Sequence, residues 1–139
     1  MQNDILEKPQ PHPTPMSQPY WDGLAAGRLM LQKCAHCGKV RHYPRLLCDA
    51  CHSRDVQWIA ATGRGKVHSW TVAHHAFHPA FKRELPYTLV TVDLAEGVRA
   101  MGRFVGKNGH TLTLGLPVRL AVEPPVNGIA LPSFTADAL

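Results

Sequence analysis

Four residues stand out as able to do chemistry together: Cys34 and Cys37, then Cys48 and Cys51. They are all the cysteines the chain has, and they fall as two C-x2-C pairs with ten residues between them. Thiolates are soft donors, and four of them in a tetrahedron suit Zn²⁺. Two intervening residues let a tight turn aim both sulfurs of a pair at one ion. Gly38, just past the first pair, helps that turn because it accepts positive φ. Lys39 to Leu47 is long enough for a short hairpin that brings the chain back to the metal. Four thiolates leave no coordination position for water or substrate, so one structural zinc is the expected cofactor.

Other uses of these cysteines fit less well. Disulfides belong to oxidising compartments, and no secretory signal precedes the motif, so a cytoplasmic location is expected. A redox C-x-x-C would need a βαβ setting. Cys48-Asp-Ala-Cys51-His52 spells a c-type haem attachment motif, which would leave Cys34 and Cys37 without a role. His36, His42 and His52 lie near the pairs and read as turn residues. With all four cysteines committed to metal, none remains as an acyl carrier. Ser69 lacks the setting of a nucleophile elbow. His74, His75 and His78 could serve as general bases of a stand-alone lyase or hydrolase, or simply as polar residues at the edge of a loop.

The elements that must position these groups come next. At 139 residues the chain is one or two small domains. No stretch approaches the roughly 20 apolar residues that span a bilayer. A ribbon of about 30 residues buries too little apolar surface to fold alone, and metal binding would supply the missing free energy. Residues 1–18 carry Pro9, Pro11, Pro13 and Pro15 and read as a disordered or extended leader, or a strap laid on a partner. A short helix is expected from Pro19 to Ala26, its Tyr20, Trp21 and Leu24 forming either a core face or an anchor for a partner. Residues 19–61 would hold that helix and the ribbon, with strands near Arg28–Lys33, Val40–Tyr43 and Val56–Ala60. Residues 62–124 would form a small antiparallel barrel, with strands at Gly65–His75, Pro86–Leu94, Val98–Val105 and Pro117–Glu123, and Thr111–Leu114 either a short strand or a loop. Residues 125–139 hold Pro125 and Pro132 and read as an extended tail free to dock on another chain.

In that order, the parts resemble the zinc-ribbon/OB-fold proteins of acyl-CoA metabolism. The motifs that carry the resemblance are Tyr20-Trp21-Asp-Gly-Leu-Ala-Ala-Gly-Arg28, Leu31-Gln-Lys-Cys34-Ala-His-Cys37-Gly38 and Pro44-Arg45-Leu-Leu-Cys48. Gly63-Arg-Gly65-Lys-Val-His-Ser-Trp70-Thr, His78-Pro79-Ala-Phe81 and Pro86-Tyr87 continue it to about residue 123. Two departures leave the ligands untouched: Cys48-Asp where the family more often has proline second, and His42-Tyr43 where it more often has an aromatic and a proline. The resemblance implies a mostly β fold of a short helix, a rubredoxin-like ribbon and a five-stranded OB barrel. It also implies a non-catalytic subunit of a CoA-ester-processing complex. The expected partners are thiolase-superfamily enzymes, acyltransferases of that fold, or hydratases and aldolases. The acyl-pantetheine arm would pass Phe81, Lys82 and Tyr87.

OB barrels also bind single-stranded nucleic acid through stacking aromatics and basic grooves. The formal net charge of +5 invites that reading, but four thiolates and one Zn²⁺ reduce it to +3. By simple alternation Trp70 shares its strand face with His68, Val72 and His74, without Lys or Arg. Arg99 and Arg103, four apart, would point to one side of their strand.

Overall fold

The computed structural model describes residues 7–106 and 111–137. A short α-helix, α1 (Gln18–Ala25), leads into a three-stranded sheet of β1 (Met30–Cys34), β2 (Val40–Arg41) and β3 (Val56–Ala60), in the order β2-β1-β3. Pro19 occupies the first turn of α1, where its missing N–H costs nothing. Tyr20 and Leu24, one turn apart, are buried. Tyr20 packs edge-on against Trp21 and lies 5.4 Å from the His42 ring, so the aromatic-led helix belongs to the core.

The second half is a closed barrel of β4 (Arg64–Ala73), β5 (Tyr87–Leu94), β6 (Arg99–Phe104), β7 (Pro117–Leu120) and β8 (Ser133–Ala136), in the order β4-β5-β6-β8-β7. A six-residue 3₁₀ helix, Pro79–Glu84, sits in the loop between β4 and β5. Ribbon and barrel share one core: Leu29 and Leu31 of the ribbon belong to the same buried cluster as Val67, Val90, Val92, Val118 and Phe134. The linker between them is tied at each end to its own half: Ala61 N–H to the Leu29 carbonyl (2.8 Å) continues the β1–β3 pairing, and Leu120 N–H to the Gly63 carbonyl (2.7 Å) continues the β4–β7 pairing.

Two expectations need correction. First, residues 125–139 are not simply a tail free to dock on another chain. Ser133–Ala136 is the closing strand, antiparallel to β7 and parallel to β6, so the barrel is not wholly antiparallel. Fully buried Phe134 drives that strand home. Gly102 admits it, since a Cβ there would stand 2.6 Å from the Pro132 carbonyl oxygen. Of the two readings of residues 111–114, the loop is the one seen: a turn there hands the chain to β7. The described part of the leader, residues 7–14, has no regular structure and touches this chain's own barrel. Lys8 pairs with Glu84 at 2.8 Å, and its ammonium lies 5.8 Å from the Phe81 ring centre. Residues 1–6 lie outside the described residues. Second, β4 carries a bulge between Val67 and Ser69. The extra residue, His68, bonds to outward-facing Asp93 at 3.0 Å, while Trp70 and Val72 stand opposite Val90 and Thr88 on the inner face.

Because Phe134 closes the barrel, Phe134→Ala is expected to cost roughly 3–5 kcal/mol of stability, as large-to-small core changes do. Urea unfolding checks this; a loss within experimental error would return residues 133–136 to the status of a free tail.

Candidate metal centre and neighbouring surface

Each cysteine pair sits on a tight knuckle. In the first, Gly38 N–H bonds the Cys34 carbonyl at 3.0 Å; in the second, His52 N–H bonds the Cys48 carbonyl at 2.9 Å. Gly38 and His52 are equivalent positions, and both take positive φ, +82° and +62°. The first pair shows this need as a glycine. The second hides it under a histidine, which tolerates the left-handed region only at a cost.

The two knuckles bring all four Sγ atoms within 4.8 Å of one another. Cys34 and Cys51 sulfurs are 3.5 Å apart, and Cys37 and Cys48 sulfurs 3.6 Å. A tetrahedral zinc with bonds of about 2.3 Å sets its sulfurs about 3.8 Å apart, so the spacing fits that ion. Local electrostatics favour thiolates. The backbone N–H of Cys37 points at Cys34 Sγ (3.4 Å) and, with His36, holds that thiol down to about 6. The N–H groups of Cys51 and Ala50 likewise lower Cys48. Cys51 feels the Ser53 N–H pulling it down, yet burial and the neighbouring sulfurs push it up to about 12. Four sulfurs this close cannot all hold negative charge unless a cation lies among them. His36, His42 and His52 do not join the cluster among the described residues.

Behind the metal cluster lies a buried polar support that the sequence did not suggest. Gln32 Oε1 accepts from Arg41 Nε and from the Arg45 N–H, both at 2.8 Å. Arg41 also donates to the Arg45 carbonyl at 3.1 Å. These bonds hold the segment between the pairs against β1. His42 lies between Tyr20 and Tyr43, 4.2 Å from the latter ring, and its buried Nδ1 has no partner among the described residues. Burial pushes its pKa down to about 4.

The other nominated residues are only partly brought together. Phe81, on the 3₁₀ helix, lies 6.4 Å from the Tyr87 ring and lines a cavity of about 290 Å³ with Pro9, Tyr43, Met101, Arg103 and Leu131. Tyr87 is covered by the Arg103 guanidinium at 4.6 Å. Lys82 is exposed and is not part of that cavity wall. Arg103 also bonds Glu84 at 2.8 Å. Burial alone would raise the Glu84 carboxyl, but Lys8 and Arg103 outweigh it and hold it below its usual range. Arg99 and Arg103 do share the outer face of β6, and Arg99 pairs with Asp93 at 2.8 Å. The three histidines do not converge: His78 Nδ1 accepts from the Ala80 N–H and caps the 3₁₀ helix, His75 meets Phe77 edge-on, and His74 is exposed.

Residues 21–57 match the family described as ChsH2, rubredoxin-like zinc ribbon domain, and residues 58–123 match ChsH2, C-terminal OB-fold domain. A solved structure described as Ltp2-ChsH2(DUF35) aldolase is similar throughout. Its TM-score is 0.81 at 35% identity, covering 91% of this chain and 98% of that one. The chain belongs to the ChsH2/DUF35 zinc-ribbon and OB-fold family. This ChsH2/DUF35 protein is also 37% identical over 115 residues to a probable enoyl-CoA hydratase alpha subunit of Thermomonospora curvata, over 83% of this chain and 35% of that subunit. It is 30% identical to a DUF35 domain-containing scaffold protein of Methanocaldococcus jannaschii, over 62% of this chain and 61% of that one. The chain spans about a third of the length of the curated hydratase subunits it matches. No helix among the described residues is long and apolar enough to cross a membrane. One structural zinc in the tetrathiolate ribbon follows from the family and from the sulfur geometry.

Two outcomes are expected from the ribbon. His52→Gly relieves the left-handed strain and should raise stability by about 0.5–1 kcal/mol with zinc content unchanged, as measured by thermal melting and elemental analysis; loss of metal would make His52 a ligand. For His42, the unfolded chain binds more protons than the folded one between pH 6.5 and about 4. Its contribution is therefore present above that window and lost as pH falls through it. His42→Phe should gain about 1–2 kcal/mol relative to the parent on going from pH 7 to pH 5. Parallel urea titrations at the two pH values read the difference, and equal slopes would refute the assignment.

Proposed function

We propose that this chain is a non-catalytic, zinc-held subunit of a multi-subunit enzyme acting on CoA esters, its catalytic partner being a thiolase-like acyltransferase or aldolase. The observation that carries this reading is the similarity, across nearly the full length of the other chain, to the DUF35 protein of an Ltp2-ChsH2(DUF35) aldolase. Relatives named as a hydratase alpha subunit and as a scaffold protein support the same class of role. The physics agrees. A closed tetrathiolate shell offers a substrate no coordination site. His78 is spent on a helix cap, and Arg99 and Arg103 are spent on carboxylates.

The surface suits docking. Tyr43, Leu46 and Leu47, between the cysteine pairs, are exposed, as are Met101 and Leu131 on the barrel. Apolar groups gathered this way on a small protein mark contact surfaces. The cavity that Tyr43, Met101 and Leu131 border carries Phe81 and Arg103, with Tyr87 behind it. An acyl-pantetheine arm needs an apolar wall, and its phosphates need cations. Phe81 and Tyr87 supply the first, Lys82 and Arg103 the second. In this reading the leader residues Lys8 to Pro11 line the same passage.

Co-purification from the native host, followed by mass spectrometry, tests the proposal. The expected companion is a thiolase-fold or related CoA-ester enzyme in stoichiometric amount. The isolated chain should be silent against a panel of acyl-CoA thioesters, and turnover by it alone would contradict the role. Tight oligonucleotide binding with a steep salt slope would instead favour single-stranded nucleic acid as the ligand. In the assembled enzyme, Phe81→Ala and Tyr87→Ala should each raise the KM for acyl-CoA by roughly tenfold, equivalent to about 1.4 kcal/mol of lost contact. An unchanged KM removes both from the passage.

A further inference from the structure

A second cleft, of about 400 Å³, opens where the ribbon meets the barrel. The segment from Lys39 to Arg45 forms one side of it, and Asp93 with the end of the β5–β6 turn forms the other. Four cations line it, Lys39, Arg41, Arg45 and Arg99, against two carboxylates, Asp49 and Asp93, which leaves a surplus of two positive charges. His42, on the same wall, adds none near neutral pH, because burial holds it down to about 4. No cysteine lines the cleft. Two of the cations are matched: Lys39 pairs with Asp49 at 2.6 Å, and Arg99 with Asp93 at 2.8 Å. Asp49 also feels the charge of Arg45 but gives its carboxylate to Lys39. The surplus is therefore Arg41 and Arg45.

Arg41 is the more telling of the two. It is only 4% exposed, so a permanently charged group has been taken out of water. Its Nε and Nη2 meet the Gln32 side-chain oxygen and the Arg45 carbonyl, both neutral acceptors. Its Nη1 is buried with no acceptor among the described residues, and the adjacent His42 Nδ1 is in the same state. A buried guanidinium is costly unless a counter-anion meets it. The Arg45 side chain is exposed and has no hydrogen-bond partner among the described residues, so its whole fork of donors is free. We propose that this cleft is an oxyanion site whose ligand is a phosphate group, free or carried by a small ester, held between the Arg41 and Arg45 guanidiniums. Guanidinium forks match phosphate oxygens two at a time. A phosphate ester carries about −1.5 to −2 near neutral pH, which cancels the surplus, whereas one carboxylate would cancel half of it. Since one wall is ribbon and the other is barrel, an occupied site ties the two halves together. The site is built by this chain alone, so its failure would leave the subunit role untouched.

Inorganic phosphate titrated into the zinc-loaded full chain, at constant ionic strength balanced with chloride, tests the proposal by two-dimensional amide NMR. The amides of residues 39–45 and 97–99 should shift together and saturably, with a Kd of about 1 mM or below. Glycerol phosphate provides the second arm: tighter binding assigns the ester as ligand, and equal or weaker binding assigns the free ion. Arg45→Gln changes an exposed side chain, so its melt in phosphate-free buffer should match the parent while phosphate affinity falls roughly tenfold, the loss of one charge-assisted contact. Arg41→Lys keeps the charge but loses the fork and should weaken binding as much; if it fails to fold, Arg45→Gln carries the test. Arg54→Gln, an exposed cation outside the cleft, should leave the affinity unchanged. Shifts that grow without saturating, or an affinity indifferent to Arg45→Gln, would overturn the proposal. So would equal saturation by acetate, which would make the cleft a seat for a carboxylate.

Discussion

Everything in the ribbon depends on the mutual repulsion of four sulfurs and on the cation that turns it into attraction. The two knuckles aim backbone N–H groups at Cys34 and Cys48 and so favour thiolates. The same closeness pushes Cys51 the other way. A divalent ion resolves that conflict and joins two turns that no apolar core would hold together. The strands are too short to do it themselves: β2 is two residues long, and the segment from Tyr43 to Ser53 has no regular structure beyond its turns.

The constraint propagates by contact. With the knuckles joined, Gln32 can hold Arg41 and the Arg45 backbone, and the His42–Tyr43 pair closes over Tyr20. With β1 held in place, Leu29 and Leu31 meet the barrel residues, and β3 runs directly into β4. The metal therefore sets where the apolar residues between the cysteine pairs sit relative to the barrel cavity. In the proposed role, an ion in a closed thiolate shell would thereby shape a surface for assembly.

Much of this was legible from residue type and spacing. The ligand set follows from two C-x2-C pairs, α1 from Pro19 and its i, i+4 apolar pair, and β3 and β5 from β-branched and aromatic runs. What stayed hidden has physical reasons. Ser133–Ala136 is a strand because Phe134 finds a pocket and β6 carries a glycine there, and neither fact is local to a proline-rich tail. His68 leaves Trp70's face because of a bulge, which no period of two reveals. Glutamine at position 32 looks like an ordinary polar strand residue until its two donors are in place. The histidines at 74, 75 and 78 looked like a cluster because they are neighbours in sequence, but one caps a helix and the others face elsewhere. Around Phe81, alternation and composition located the loop but not Arg103 or Tyr43, which reach it from other elements.

The coordination shell of the bound metal tests the central claim most directly. X-ray absorption at the zinc edge on natively purified protein should show four sulfur scatterers at about 2.3 Å and no lighter neighbour, the signature of a closed structural site. A shell containing an oxygen or nitrogen at about 2.0 Å would mean an open or histidine-bearing site, and the account of a metal that only positions surface would fail.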